Sequence, residues 1–178
     1  MFALFKTLTV VAVLAVAAVM VHAATRPDTF SVQRSASIDA PASRVFALID
    51  DPRAFNSRNP YARKDPTIRV RYEGAARGPG AAYEWQSQHV GAGRMEVIES
   101  AAPDRVAMRL DFQKPIRTSN LVEFRLDPHG HATQISWAMT GPMPYVSKLM
   151  ATFIDMDEMV GGDFEAGLAR LKETAESS

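Results

Sequence analysis

The 178-residue chain has no cysteine, which excludes disulfides, thiol nucleophiles and thiolate metal sites, and leaves the redox compartment open. It also has no excess of either charge: Lys+Arg and Asp+Glu both number 20. With Lys6 the one cation before Arg26, the rest of the chain carries 19 cations against 20 acids. A near-neutral body without a basic run does not suit nucleic acid, because phosphate binding needs clustered cations. No HExxH or comparable ligand spacing occurs, so no metal site is expected. GxSxG is missing and no serine sits in a nucleophile-elbow context, so serine hydrolase chemistry has no support. Gly78-Pro79-Gly80 and Gly91-Ala92-Gly93 lack the phosphate-cradling pattern ahead of a helix and read as turn glycines. There are no internal repeats or low-complexity stretches, and nothing calls for a cofactor.

What the chain does have begins with residues 7–25, TLTVVAVLAVAAVMVHAAT, without an acidic or basic side chain if His22 is neutral. A run close to the ~20 residues of a spanning helix fits an uncleaved single-pass anchor. Val21-His22-Ala23 also resembles the small-x-small pattern ahead of a signal-peptidase cut, so cleavage to an exported soluble form is the alternative. Either way the body is expected outside the cytoplasm. The expected organisation is an anchor or signal over 1–25, a short polar joint over 26–29 and one domain over 30–176.

Within the domain, Phe30 to Asp39 reads as a first strand. Pro41 opens a helix whose apolar face is Ala42, Val45, Phe46 and Ile49, and a second short helix and an irregular loop follow over 53–66. From Ile68 to Gly141 the apolar residues mostly recur every second position, as in Val106, Met108, Leu110 and Phe112, giving about six successive strands. Met95, Val97 and Glu99 are expected to share one strand face. Asp127-Pro128-His129-Gly130 is suited to a hairpin loop. A helical stripe then runs through Leu149, Phe153, Met156, Val160, Phe164, Leu168 and Leu171, predicting one continuous helix over Tyr145 to Thr174. Strands without intervening helices pair antiparallel, so the class is α+β, one sheet wrapped around the C-terminal helix. Gly161, Gly162 and Gly167 each cost about 1 kcal/mol inside a helix relative to alanine. They serve either close approach to the sheet or bending of the helix at a cavity entrance.

Four phrases in this order, SASIDAPASRVFALIDD (35–51), GAGRMEVIESAAPDRVAMRLDFQKP (91–115), TQISWAMTGPMP (133–144) and DFEAGLARLK (163–172), resemble the SRPBCC superfamily, and within it the polyketide cyclase/dehydrase-like group. The resemblance implies a START-like helix-grip fold: a strongly curved seven-stranded antiparallel sheet gripping the C-terminal helix, with a hydrophobic cavity between them. Members of this group commonly carry a tryptophan pair after the first helix, where this chain has Phe55, Asn56 and Arg58. That departure implies a smaller, more polar cavity lip.

Candidate ligand-binding residues are the large apolar positions Tyr83, Trp85, Met108, Phe112, Trp137, Met139, Phe153, Met156 and Val160. They serve equally as core, and methionine suits either role because it fills irregular spaces. Candidate polar cavity residues are His89, Arg109 and Glu123, with an Arg109–glutamate pair expected if either were buried. His129 and His131 flank Gly130 at a loop tip and are expected in solvent, as is the acidic face of the last helix. Catalytic residues and oligomeric state are not identified. Three functions stay open: binding of a hydrophobic, lipid-like small molecule between sheet and helix; an aromatase/cyclase- or dehydrase-type enzyme using the polar cavity residues; and a membrane-associated protein-interaction domain with a filled core.

Overall fold

The computed structural model describes residues 2–57, 65 and 67–177. Helix α1 (Phe2–Thr25) is followed by strand β1 (Thr29–Ile38) and two short helices, α2 (Ala42–Asp50) and α3 (Pro52–Asn56). Six strands come next: β2 (Arg69–Gly74), β3 (Ala81–Gln86), β4 (Ala92–Ala101), β5 (Arg105–Lys114), β6 (Thr118–His129) and β7 (Ala132–Pro142). Helices α4 (Tyr145–Met150) and α5 (Met156–Glu176) complete the chain. The seven strands form one antiparallel sheet in the order β1-β7-β6-β5-β4-β3-β2, with α5 and α2 packed on it. This is the α+β helix-grip architecture expected from the sequence.

Each element follows from its local chemistry. Pro41 occupies the N-cap position of α2 with no side-chain cap, and the Asp51 carboxylate accepts the Arg53 and Ala54 N–H groups to start α3. On β6 and β7 the period-two pattern turns Val122, Phe124, Leu126, Ile135, Trp137 and Met139 inward, while Glu123, Arg125 and Gln134 face out. The β6–β7 ladder runs on to His129 paired with Ala132, so the hairpin loop is Gly130-His131, shorter than Asp127 to Gly130.

Two expectations about local regularity are corrected. A bulge shifts the β4–β5 register between Val97 and Glu99, so Glu99 and Ile98 are both exposed and the alternation does not carry through β4. The C-terminal helix is interrupted: α4 ends at Met150 and α5 starts after Asp155, whose carboxylate accepts the Asp157 and Glu158 N–H groups at 2.9 and 3.1 Å. That cap begins a new helix and removes Phe153 from the apolar stripe. From Val160 onward the stripe holds, with Phe164, Leu168, Leu171 and Ala175 buried.

The helical glycines of α5 divide by environment. A β-carbon at Gly161 would collide with the Arg34 guanidinium, and one at Gly167 would lie 2.5 Å from Trp137 Cζ3. Both allow close approach of helix and sheet. At Gly162 a β-carbon would meet nothing within 4 Å. Arg34 of β1 fastens the helix, donating to Asp157 and to Glu165 at 2.8 Å each. Bonding to those carboxylates raises the Arg34 guanidinium above its ordinary range.

Helix α1 stands largely clear of the domain. Its Lys6–Thr25 segment is long and apolar enough to cross a membrane and is barely buried. Its C-terminal end packs on α4, where the Tyr145 hydroxyl donates to the Met20 carbonyl at 3.0 Å.

Candidate functional site

Between sheet and α5 the side chains do not fill all the space. A cavity of about 90 Å³ remains, walled by Tyr83 and Trp85 of β3, Met95 of β4, Leu110 and Phe112 of β5, Val122 of β6, and Trp137 and Met139 of β7. Phe55 and Asn56 of α3, Phe164 of α5, and the loop residues Ile68 and Val90 close it. Apolar side chains make most of this wall because every contributing strand turns its inward set here.

Trp137 organises the centre. Its indole stacks on Phe164 with centroids 4.3 Å apart and planes 11° from parallel, and it meets Phe55 nearly edge-on at 5.8 Å. Gly167 presses on the Cζ3 edge of the ring, opposite the indole nitrogen. That nitrogen, Trp137 Nε1, is buried without a hydrogen-bond partner. A buried N–H without an acceptor costs about 1–3 kcal/mol, so its lack of a partner needs a reason. Of the polar groups in the wall, Asn56 Nδ2 donates to Tyr72 Oη at 3.1 Å, and Tyr83 Oη donates to Met95 Sδ at 3.4 Å. Among the described lining residues the Tyr83 phenol is the one ionisable group.

Ile68 and Val90 belong to two loops held together by Asp65, which is buried. Its carboxylate accepts the Ser87 hydroxyl at 2.5 Å, the Thr67 hydroxyl at 2.6 Å and the Thr67 N–H at 2.8 Å. Ser87 Oγ in turn accepts the His89 and Val90 N–H groups, both at 2.9 Å. The Ser87 and Thr67 bonds, helped by the charge of nearby His89, hold the Asp65 carboxyl down at about 2. This clasp is not legible in the sequence, where Asp65 falls in the irregular loop expected after the second short helix. Asp65-Pro66-Thr67 does carry an Asx-turn signal, since an aspartate two residues before a threonine can cap its N–H.

The structure brings Tyr83, Trp85, Phe112, Trp137 and Met139 together on one cavity. Met108 borders a smaller adjoining gap with Phe55, Val97 and Pro52. Val160 is buried on α5 outside the cavity wall, and Phe153 is 75% exposed on the turn before α5. The Met156 side chain lies outside the described residues, as does Arg58. Phe55 and Asn56 line the cavity. The three polar candidates lie elsewhere. His89 is exposed on the mouth loop and acts on Asp65 through its charge. Arg109 is on the outer sheet face, donating to Glu96 at 2.5 Å and Asp111 at 3.2 Å. Glu123 shares that face between Arg105, at 2.7 Å, and Arg125. Partial burial opposes its ionisation, but the two guanidiniums prevail and lower its pKa. Among the described residues no cluster of three or more His, Asp or Glu side chains could hold a metal.

The family model described as "Polyketide cyclase / dehydrase and lipid transport" matches residues 29–176. No curated protein matches the sequence. Among solved structures the chain is similar to protein CV1439 from Chromobacterium violaceum, at 18% identity and a TM-score of 0.61, covering 86% of this chain and 100% of that one. It is also similar to CalU16 from Micromonospora echinospora, at 18% identity and a TM-score of 0.54, covering 83% and 75%. The Aha1 dimer from Colwellia psychrerythraea gives 12% identity and a TM-score of 0.58, covering 83% and 97%. At these identities the likeness is one of fold.

Proposed function

We propose that this chain, which belongs to the polyketide cyclase/dehydrase and lipid transport family, binds a hydrophobic, lipid-like small molecule bearing one hydrogen-bond acceptor between its sheet and α5. The observation that carries this reading is the unfilled, largely apolar cavity walled in part by Trp137, whose buried N–H has no hydrogen-bond partner. A carbonyl or ether oxygen placed there would satisfy the donor while the rest of the ligand is buried among aromatic rings. At about 90 Å³ the space is smaller than the ~300–1,000 Å³ of drug-sized sites. Admission of a full ligand therefore requires the mouth loops joined by Asp65 and Ser87 to part. Proton-moving chemistry gains no support from His89, Arg109 or Glu123, which do not line the cavity. The same proposal keeps α1 as an uncleaved single-pass anchor with the domain outside the cytoplasm. A mature chain beginning at Ala24 would overturn that placement.

With two tryptophans in the chain, two indole N–H resonances report on the site. Titration with a small aromatic ketone should move the Trp137 indole signal, identified by its loss in Trp137→Phe, whereas the matching hydrocarbon should move side-chain signals alone. Trp137→Phe should keep the fold and bind the ketone roughly tenfold more weakly, the ~1–1.5 kcal/mol of one hydrogen bond. If neither probe disturbs any lining residue, the binding reading fails.

A further inference from the structure

Outside the cavity, the main unexplained apolar surface is the joint between β7 and α5. Tyr145, Val146, Met150, Phe153 and Ile154 are all exposed there, within ten residues. Five exposed apolar side chains this close in sequence suit a docking surface, because they gain nothing from water. Its location identifies what it docks on. The Tyr145 hydroxyl bonds to the Met20 carbonyl, and Met20 lies about 7.5 Å along α1 from Thr25 at 1.5 Å per residue. The Lys6–Thr25 segment is 20 residues, close to the ~30 Å of a hydrocarbon core. Once α1 spans a bilayer with Thr25 at the edge of the hydrocarbon core, the Tyr145 hydroxyl thus reaches ~7.5 Å below that edge, within the ~5–10 Å depth at which interfacial apolar side chains are buried.

The surroundings fit a headgroup layer. Arg26 follows α1 directly and shares a cleft with Phe153 and Ile154, and its Nε is buried without a partner. The two carboxylates of that cleft are occupied, Asp155 in capping α5 and Asp157 on Arg34. Lys114 and Arg117, at the β5–β6 turn, lie on the same edge of the sheet by topology, as do the start of β1, the end of β7 and the 87–91 mouth loop.

We propose that α4 and the 151–154 turn insert their apolar side chains into the interface of the bilayer that α1 spans, so that the domain is seated on the membrane by a second contact. This rests on the anchor reading above. Docked this way, the edge of the sheet carrying the cavity mouth is turned toward the lipid.

The chain has no cysteine, so a single introduced one can be labelled cleanly. Full-length Phe153→Cys, carrying a polarity-sensitive fluorophore, is reconstituted in phosphatidylcholine/phosphatidylglycerol vesicles containing spin-labelled lipid. His131→Cys, at the hairpin tip some 33 Å of strand away, is the control. Met150→Cys repeats the measurement should position 153 perturb folding. Carbonate extraction of each preparation reports whether α1 is embedded. The expected result is blue-shifted, lipid-quenched emission from 153 and 150 and water-like, unquenched emission from 131. Water-like emission at 153 and 150 with α1 resistant to carbonate overturns docking and leaves the anchor standing, as does equal quenching at 131. Release of α1 by carbonate overturns the anchor and the docking together.

Discussion

The two ends of the sheet–helix sandwich are filled differently. Toward the β6–β7 hairpin, Ile38, Val45, Ile49, Leu126, Ile135 and Leu168 are almost completely buried. Toward the other end, Trp85, Phe112, Ile68 and Val90 are only part-buried and enclose the vacant space. Branched aliphatic side chains interdigitate to near-crystalline density. Flat rings meeting edge-on, such as Trp85 and Phe112 at 87° and 5.8 Å, cannot close the corners between them. One end is therefore close-packed, and the other holds the vacant space.

Ile135→Ala should break the filled end with the largest effect, a loss of about 2–5 kcal/mol in denaturant unfolding. A loss below about 1 kcal/mol would show that this end is not close-packed. Gly167→Ala comes next: its methyl would strike the Trp137 ring, costing about 1–3 kcal/mol as overpacking and disturbing the near-ultraviolet signal of the indole. Gly162→Ala, with nothing within 4 Å, should instead stabilise by up to about 1 kcal/mol. Opposite signs for these two substitutions sharpen the contrast between a contact glycine and an exposed one. Like signs would break it.

The smallest effect is local, at the mouth. The Asp65 carboxyl is lowered from its ordinary 3.8 to about 2, so the clasp has its full strength above pH 4 and is lost as the pH falls toward 2. The amide signals of His89 and Val90, which donate to Ser87, should titrate over that acid window while the filled end stays unchanged. Asp65→Asn should abolish the titration and speed ligand exchange. A midpoint above pH 4 would mean that another group holds the loops.

Much of the architecture was legible in particular residues. The inward set Val106, Met108, Leu110 names both the strand and its buried face, because side-chain direction in a strand has a fixed period of two. The stripe from Val160 to Leu171 does the same for α5 at a period of three to four. The cavity was only partly legible. Five of the eight apolar candidates whose side chains are described line it, since an inward position specifies a face and not a height along the sheet. Phe153 kept the helical spacing but lost its face when Asp155 capped a new helix.

The polar candidates show where periodicity stops being enough. Arg109 and Glu123 alternate with buried neighbours, so their outward direction follows from parity once Met108 and Val122 are known to point inward. That assignment needs the sheet's concave side, which only the packing of α5 identifies. The sequence by itself determined the antiparallel sheet, the apolar N-terminal helix and the long closing helix, because each depends on repeats within a dozen residues. The tertiary structure decided the Trp137 orphan donor, the Asp65–Ser87 clasp across 22 positions and the contact of Tyr145 with Met20 across 125. Those depend on which distant groups meet, and no local pattern of side chains encodes such a distance.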